Sequence, residues 1–226
     1  MCILKILGKF IKLYNNCLKS SNKVNAGKNL TYSYIYLKIL LGELIMVYTY
    51  KETIQKYKDD YNIRKALKIG ELYRVEKGIY SDNKYANPLI MYSKKYPNAV
   101  ITMDSAFYYY NLTDVIPNKV YLDTPSNVRA IKNDKIIQSF SNEKILNVGK
   151  TIVNIEKQEV FMYDKERMLI ELIRKRKKLS FDYYKELIAN YREILDDLDM
   201  YKIENYLSFF NKKETNLFDI MQREVF

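Results

Sequence analysis

No histidine occurs anywhere in the 226 residues, and no tryptophan. The first absence removes histidine general bases, Ser-His-Asp triads and histidine metal ligands together. Cysteine is nearly missing too: Cys2 and Cys17 are the only two, both near the N-terminus. The body of the chain therefore has neither a disulfide framework nor a thiolate metal site, which suits a reducing cytoplasm. There are only four prolines, and they mark breaks at Asn87-Pro88, Tyr96-Pro97-Asn98, Ile116-Pro117-Asn118 and Thr124-Pro125. Two apolar stretches near the N-terminus do not span a bilayer. Lysines interrupt residues 1–18, while residues 35–48 are too few and contain Lys38 and Glu43.

What is present is a globular composition, 48% hydrophobic, with 23 tyrosines and a formal charge of +11. Lys, Asn, Ile and Tyr are abundant together, as an AT-rich coding sequence produces, so part of the charge reflects codon usage. The charge is unevenly spread. Residues 1–45 carry seven basic and one acidic residue, residues 46–80 carry eight and five, and residues 81–226 carry twenty-three and twenty-one. The surplus sits in the first 80 residues and suits an anionic partner there.

The stretch Tyr61 to Tyr80 reads as a short basic helix, a glycine stop and a tight hairpin. Ile63, Ala66, Leu67 and Ile69 lie mostly on one side at helical spacing, with Arg64, Lys65 and Lys68 on or near the other. Gly70 stands where a left-handed helix C-cap is wanted. Leu72-Tyr73-Arg74-Val75 alternates as a strand, Glu76-Lys77-Gly78 turns, and Ile79-Tyr80 returns. Upstream, Thr49 and Glu52 form a capping box for a preceding helix, whose buried side is Ile54 and Tyr57. Asp60 is placed to cap the second helix. Two helices followed at once by a hairpin predict a winged helix-turn-helix. Its second helix would enter a major groove and its wing would lie on the backbone.

Beyond this element the pattern is mixed. Helices are expected at 89–95 and at 106–112, the latter capped by Asp104 or Ser105. Strands are expected at 99–103, 119–123, 136–140, 151–155 and 159–163, antiparallel because their connections are short. Asp164 caps a helix over 165–177 whose buried stripe is Met168, Leu169, Leu172 and Ile173. Helices at 183–192 and 200–210 follow, the former capped by Ser180 or Asp182. The run Arg174-Lys175-Arg176-Lys177-Lys178 lies at a helix C-terminus, where cations are favourable, and reads there as helix-end chemistry rather than a second nucleic-acid patch.

The predicted architecture is α+β: an N-terminal winged helix-turn-helix, a mixed α/β region and a helical C-terminal part. Residues 46–82 form the winged helix and 83–226 the second domain, with strands to about residue 163 and helices after it. Residues 1–45 read as a leader or disordered extension rather than part of the fold. Met46 begins a natural bacterial start, MVYTYKETIQKY, and Gly42-Glu43 can be encoded by a purine run resembling a ribosome-binding site. A basic amphipathic helix on a membrane surface is the competing reading of residues 1–18.

Several stretches occur together in the order seen in one family. TYKETIQKY, IRKALKIGELYRVEKGIYSD, YPNAVITMDSAFYYYNLTDVIP and YDKERMLIELIRKRKKLSFDYYKELIANYR resemble the AbiEi antitoxins of bacterial abortive-infection, type IV toxin–antitoxin systems. The resemblance covers most of the chain from Met46 onward. It implies a winged helix that binds inverted repeats in its own promoter, and a C-terminal domain that antagonises a nucleotidyltransferase-like toxin, AbiEii, without a stable complex. It implies DNA contacts from Tyr61, Asn62, Arg64, Lys65 and Lys68 on the second helix and from Arg74 and Lys77 on the wing. Arg64 and Asn62 are the candidate base readers, and the lysines position phosphates. Asp164 and Arg167 are the candidates for antitoxin function, although Asp164 also explains itself as a cap. The expected protein is a cytoplasmic regulator and not an enzyme, with no cofactor, catalytic residue, metal or membrane partner. The alternatives are a stand-alone winged-helix regulator and a metal-dependent nuclease using carboxylates among Asp104, Asp123, Glu143, Glu159 and Asp164.

Overall fold

The computed structural model describes residues 45–210 and 216–226, and residues 45–226 form one compact unit. The leader expected at 1–45, the membrane-surface alternative and both cysteines lie outside the described residues, apart from Ile45. The unit begins with β1 (Val47–Thr49), α1 (Tyr50–Tyr57), α2 (Asp60–Ile69), β2 (Tyr73–Glu76) and β3 (Ile79–Ser81). The middle holds α3 (Pro88–Lys95), β4 (Val100–Ile101), α4 (Met103–Tyr109), β5 (Val120–Pro125), β6 (Ile136–Ser141), α5 (Glu143–Leu146), β7 (Lys150–Ile155) and β8 (Gln158–Tyr163). It closes with α6 (Lys165–Lys175), α7 (Phe181–Glu193), α8 (Met200–Leu207) and α9 (Leu217–Glu224). The class is α+β.

The first strands make a three-stranded antiparallel sheet in the order β1-β3-β2. One side of it carries Tyr48 and Tyr80, which pack with Ile63, Ala66 and Leu72 beneath α1 and α2. The other side sends Val47, Ile79 and Val75 into the core of the rest of the protein. Glu52 pairs with Lys94 of α3 at 2.7 Å and Glu76 with Lys95 at 3.1 Å. The small sheet is thus tied to the body by packing and charge, with no break in packing at residue 82.

The second sheet has the order β6-β5-β4-β8-β7. The expectation of antiparallel pairing holds for β4 with β5 and β7 with β8, but β5–β6 and β4–β8 are parallel. Short connections dictate antiparallel neighbours only within a hairpin, as at Glu156-Lys157, where both φ angles are positive. The β5–β6 connection instead crosses over through residues 126–135, held by Ile131 N donating to Gln138 Oε1 at 2.6 Å. Pro125 does not stop β5 early; it pairs opposite Ser141 at the strand's end.

Helix α6 is the hub of the C-terminal half, packed by α4, α8 and α9. Met168, Leu169, Ile170, Leu172 and Ile173 are all fully buried. At roughly 1.5–3 kcal/mol for each large apolar side chain, this one helix is among the main sources of stability. Asp164 caps it by accepting from Arg167 N at 2.9 Å. Two expected caps are corrected. Helix α4 starts at Met103, so Asp104 and Ser105 lie inside its first turn, and Ser105 Oγ accepts from Tyr121 N at 3.0 Å. In α2 the cap is Asp59, one residue earlier than expected, with its carboxylate accepting from Asn62 N at 2.7 Å.

Candidate nucleic-acid interface

Helix α2 owes its position to three residues. Ile63 and Ala66 are buried against the small sheet, and Leu67 packs beside them. Gly70 ends the helix at φ 77°, a conformation that costs a residue with a Cβ roughly 1–2 kcal/mol. Ile69, expected on the buried side, is 57% exposed, because the chain turns away at Gly70 before the next packing position.

The opposite face is basic. Tyr61, Arg64, Lys65 and Lys68 are all exposed, and their helical spacing places them together. Arg64 Nε donates back to Asp60 O at 3.3 Å. Among the described residues no carboxylate lies within ion-pair distance of these three cations. Arg74 on β2 and Lys77 in the turn are exposed too. Gly78, at φ 79°, closes that turn.

Asn62 does not join this face. Its amide donates to Tyr57 O at 3.1 Å and to Asp59 Oδ2 at 3.2 Å, lacing the end of α1 to the start of α2. It is half-buried and its amide is engaged in the turn, apart from the exposed basic face. The N-terminus of α2 holds Asp59 and Asp60, the latter accepting from the Tyr50 hydroxyl at 2.9 Å. Those carboxylates occupy the positive end of the helix dipole, so an incoming phosphate is favoured along the Lys65–Lys68 half instead.

A basic groove of about 550 Å³ lies beside β2, and no local pattern announces it. Arg74 lines it from the small sheet, with Lys84, Lys119 and Lys135 from the body and no carboxylate in the lining. Lys119 and Lys135 are far from α2 in sequence, so only folding brings them next to Arg74.

Of the second candidate pair, Arg167 is buried and Asp164 half-buried. Arg167 is 0% exposed, with its guanidinium stacked between Tyr163 at 4.7 Å and Phe210 at 4.6 Å. Its Nη2 donates to Glu171 Oε1 at 2.7 Å, while Nε and Nη1 have no partner among the described residues. Burial pushes the Glu171 carboxyl up, but Arg167, Lys175 and Arg174 outweigh that and hold it below its usual value. Asp164 also accepts from the Tyr206 hydroxyl at 2.8 Å, and burial raises its pKa overall despite that bond and the Arg167 N–H. Both residues knit α6 to its surroundings; Arg167 presents no charge at the surface, while Asp164 stays partly exposed, 4.0 Å from Lys202 Nζ.

The nuclease carboxylates are scattered: Glu143 and Glu159 are exposed, Asp104 and Asp164 half-buried, and only Asp123 of the five is buried. Asp123 is buried and accepts from Tyr163 Oη at 2.7 Å, Ser141 Oγ at 2.7 Å and Ser139 Oγ at 3.0 Å. Among the described residues no three His, Cys, Asp or Glu side chains come together as a metal cluster. Nor is any described helix long and apolar enough to cross a membrane.

No protein-family model matches the chain, and no curated protein matches it. Among solved structures it is similar to the RV2827C protein of Mycobacterium tuberculosis, with 14% identity and a TM-score of 0.51, over 77% of this chain and 71% of that one. At that identity the likeness is one of fold.

Proposed function

We propose that this protein is a DNA-binding regulator of the AbiEi antitoxin kind, repressing its own promoter and opposing a nucleotidyltransferase-like toxin. The observation that carries the DNA-binding part is the exposed face of Tyr61, Arg64, Lys65 and Lys68, without carboxylate partners and followed directly by the β2–β3 hairpin. The order β1-α1-α2-β2-β3 is that of a reduced winged helix-turn-helix, with α2 as the reading helix and β2–β3 as the wing. In this reading Arg64 takes base edges, Lys65 and Lys68 take phosphates, and Arg74 and Lys77 hold the backbone beside the wing. Lys119 and Lys135 extend the phosphate track along the groove. The antitoxin role rests on the resemblance of the quoted sequence stretches. Asp164 and Arg167 serve it by holding α6 in place.

The test is binding to the DNA immediately upstream of the gene, followed across salt concentrations. Arg64→Ala with Lys68→Ala removes about two phosphate or base contacts. The slope of log affinity against log salt then falls by about 0.9, the share of the phosphate contact at Lys68, with weaker binding at moderate salt. Unchanged binding overturns the α2 assignment. A neighbouring reading frame for a nucleotidyltransferase-like protein, whose toxicity is relieved by co-expression of this chain, tests the antitoxin role.

A further inference from the structure

The basic run at the end of α6 has no part in the proposed DNA surface. Arg176 and Lys177 instead border a second groove of about 740 Å³, between the turn Arg176–Lys178 and one side of α7. Its lining is predominantly apolar, with Leu179, Phe181, Ile188 and Ala189 contributing to it. Phe181 is 67% exposed at the first turn of α7. Four cations border it: Arg176, Lys177, Lys185 and Arg192.

Three of these cations are held in place without being neutralised. Arg176 Nη1 donates to Ile173 O at 2.8 Å, Arg192 Nε donates to Glu224 O at 2.9 Å, and Lys185 Nζ lies 4.5 Å over the Phe181 ring. Among the described residues none has a carboxylate within ion-pair distance. The one acid in the lining, Glu224, is occupied by the Tyr184 hydroxyl at 2.5 Å.

We propose that this groove docks an acidic amphipathic helix of a partner protein. Apolar side chains at helical spacing would fill the floor, and carboxylates on their flanks would meet the cationic rim. The apolar floor disfavours nucleic acid, whose phosphates seek polar grooves. Charge disfavours the chain's own N-terminal region, since residues 1–45 carry seven basic residues against one acidic. The site is separate from the α2 face and does not depend on the DNA-binding reading.

The test uses the full chain in its native host, with a photo-crosslinking phenylalanine analogue in place of the exposed Ala189 and the captured peptide identified by mass spectrometry. The expected adduct is an acidic segment with apolar residues at helical spacing. Lys177→Glu with Lys185→Glu lowers its yield about tenfold, because like charges then face each other. Phe181→Ser also lowers the yield, while upstream-DNA affinity is unchanged by either variant. An adduct with nucleic acid, lipid or another copy of this chain overturns the proposal, as does an acidic adduct insensitive to charge reversal, or none at all.

Discussion

The buried Arg167–Glu171 pair makes an asymmetric prediction that separates a structural role from an antitoxin one. Glu171 accepts three cations: Arg167 at 2.7 Å, Arg174 at 2.6 Å and Lys175 at 3.1 Å. Among the described residues the Arg167 guanidinium has only Glu171 as an acceptor, and it is wholly enclosed. Glu171→Gln therefore leaves an enclosed guanidinium without its counter-charge, the situation that typically costs 3–5 kcal/mol, or about 4 kcal/mol. Arg167→Met leaves Glu171 still held by two cations. It removes two N–H groups that had no partner and keeps most of the packing volume between Tyr163 and Phe210. Its cost is about 1–2 kcal/mol. Urea unfolding measures both, as a shift in midpoint at constant m. The Glu171 charge also fixes a sign with pH. Its folded pKa is lowered, so its contribution is present above the unfolded value and is lost as pH falls through the folded one. The wild type should lose this increment below about pH 4.5 and Glu171→Gln should not. If Arg167→Met costs as much as Glu171→Gln, the reasoning fails. If Arg167→Met keeps its stability but cannot oppose the toxin, Arg167 acts on function directly.

Two further outcomes are expected. Asn62→Ala should lower the unfolding free energy by about 1–2 kcal/mol, because it cuts both bonds that lace α1 to α2. Its ratio of affinities for specific and random DNA should not change; a collapse of that ratio without loss of stability would restore Asn62 as a base reader. At alkaline pH, burial raises Tyr163, Tyr191 and Tyr110 above the usual tyrosine value, so the folded state keeps protons that the unfolded chain releases. Stability should fall as pH rises past about 10, by up to about 4 kcal/mol per pH unit for three such groups. Tyrosinate absorbance, unobscured because the chain has no tryptophan, should then rise cooperatively with loss of helical circular dichroism. A gradual rise with the fold intact would refute it.

Local rules carry much of this fold. The Thr49–Glu52 capping box, the Gly70 stop, the hairpin turn at Gly78, and the caps at Asp164 and Ser180 all stand where the sequence puts them. Each depends on residues within one turn of one another, and such interactions are written in the order of the chain. The face of α2 is legible for the same reason: once Ile63 and Ala66 are recognised as buried, Tyr61, Arg64, Lys65 and Lys68 must lie opposite.

Only the tertiary structure decided the rest. Parallel pairing of β5 with β6 and of β4 with β8 joins segments whose partners no local pattern names. Arg167 stands in the sequence as a candidate for antitoxin function. It is enclosed because Phe210, more than forty residues later, closes over it. Asn62, a residue type that reads adenine well, was already committed to the turn in front of its helix. Neither the basic groove nor the apolar one with its cationic rim could be foreseen, since Lys119 and Lys135 meet Arg74, and Arg176 meets Arg192, only when separate elements pack. Spacing along a helix fixes which side chains share a face. Whether that face meets solvent, a counter-charge or the core is settled by what the remainder of the chain lays against it.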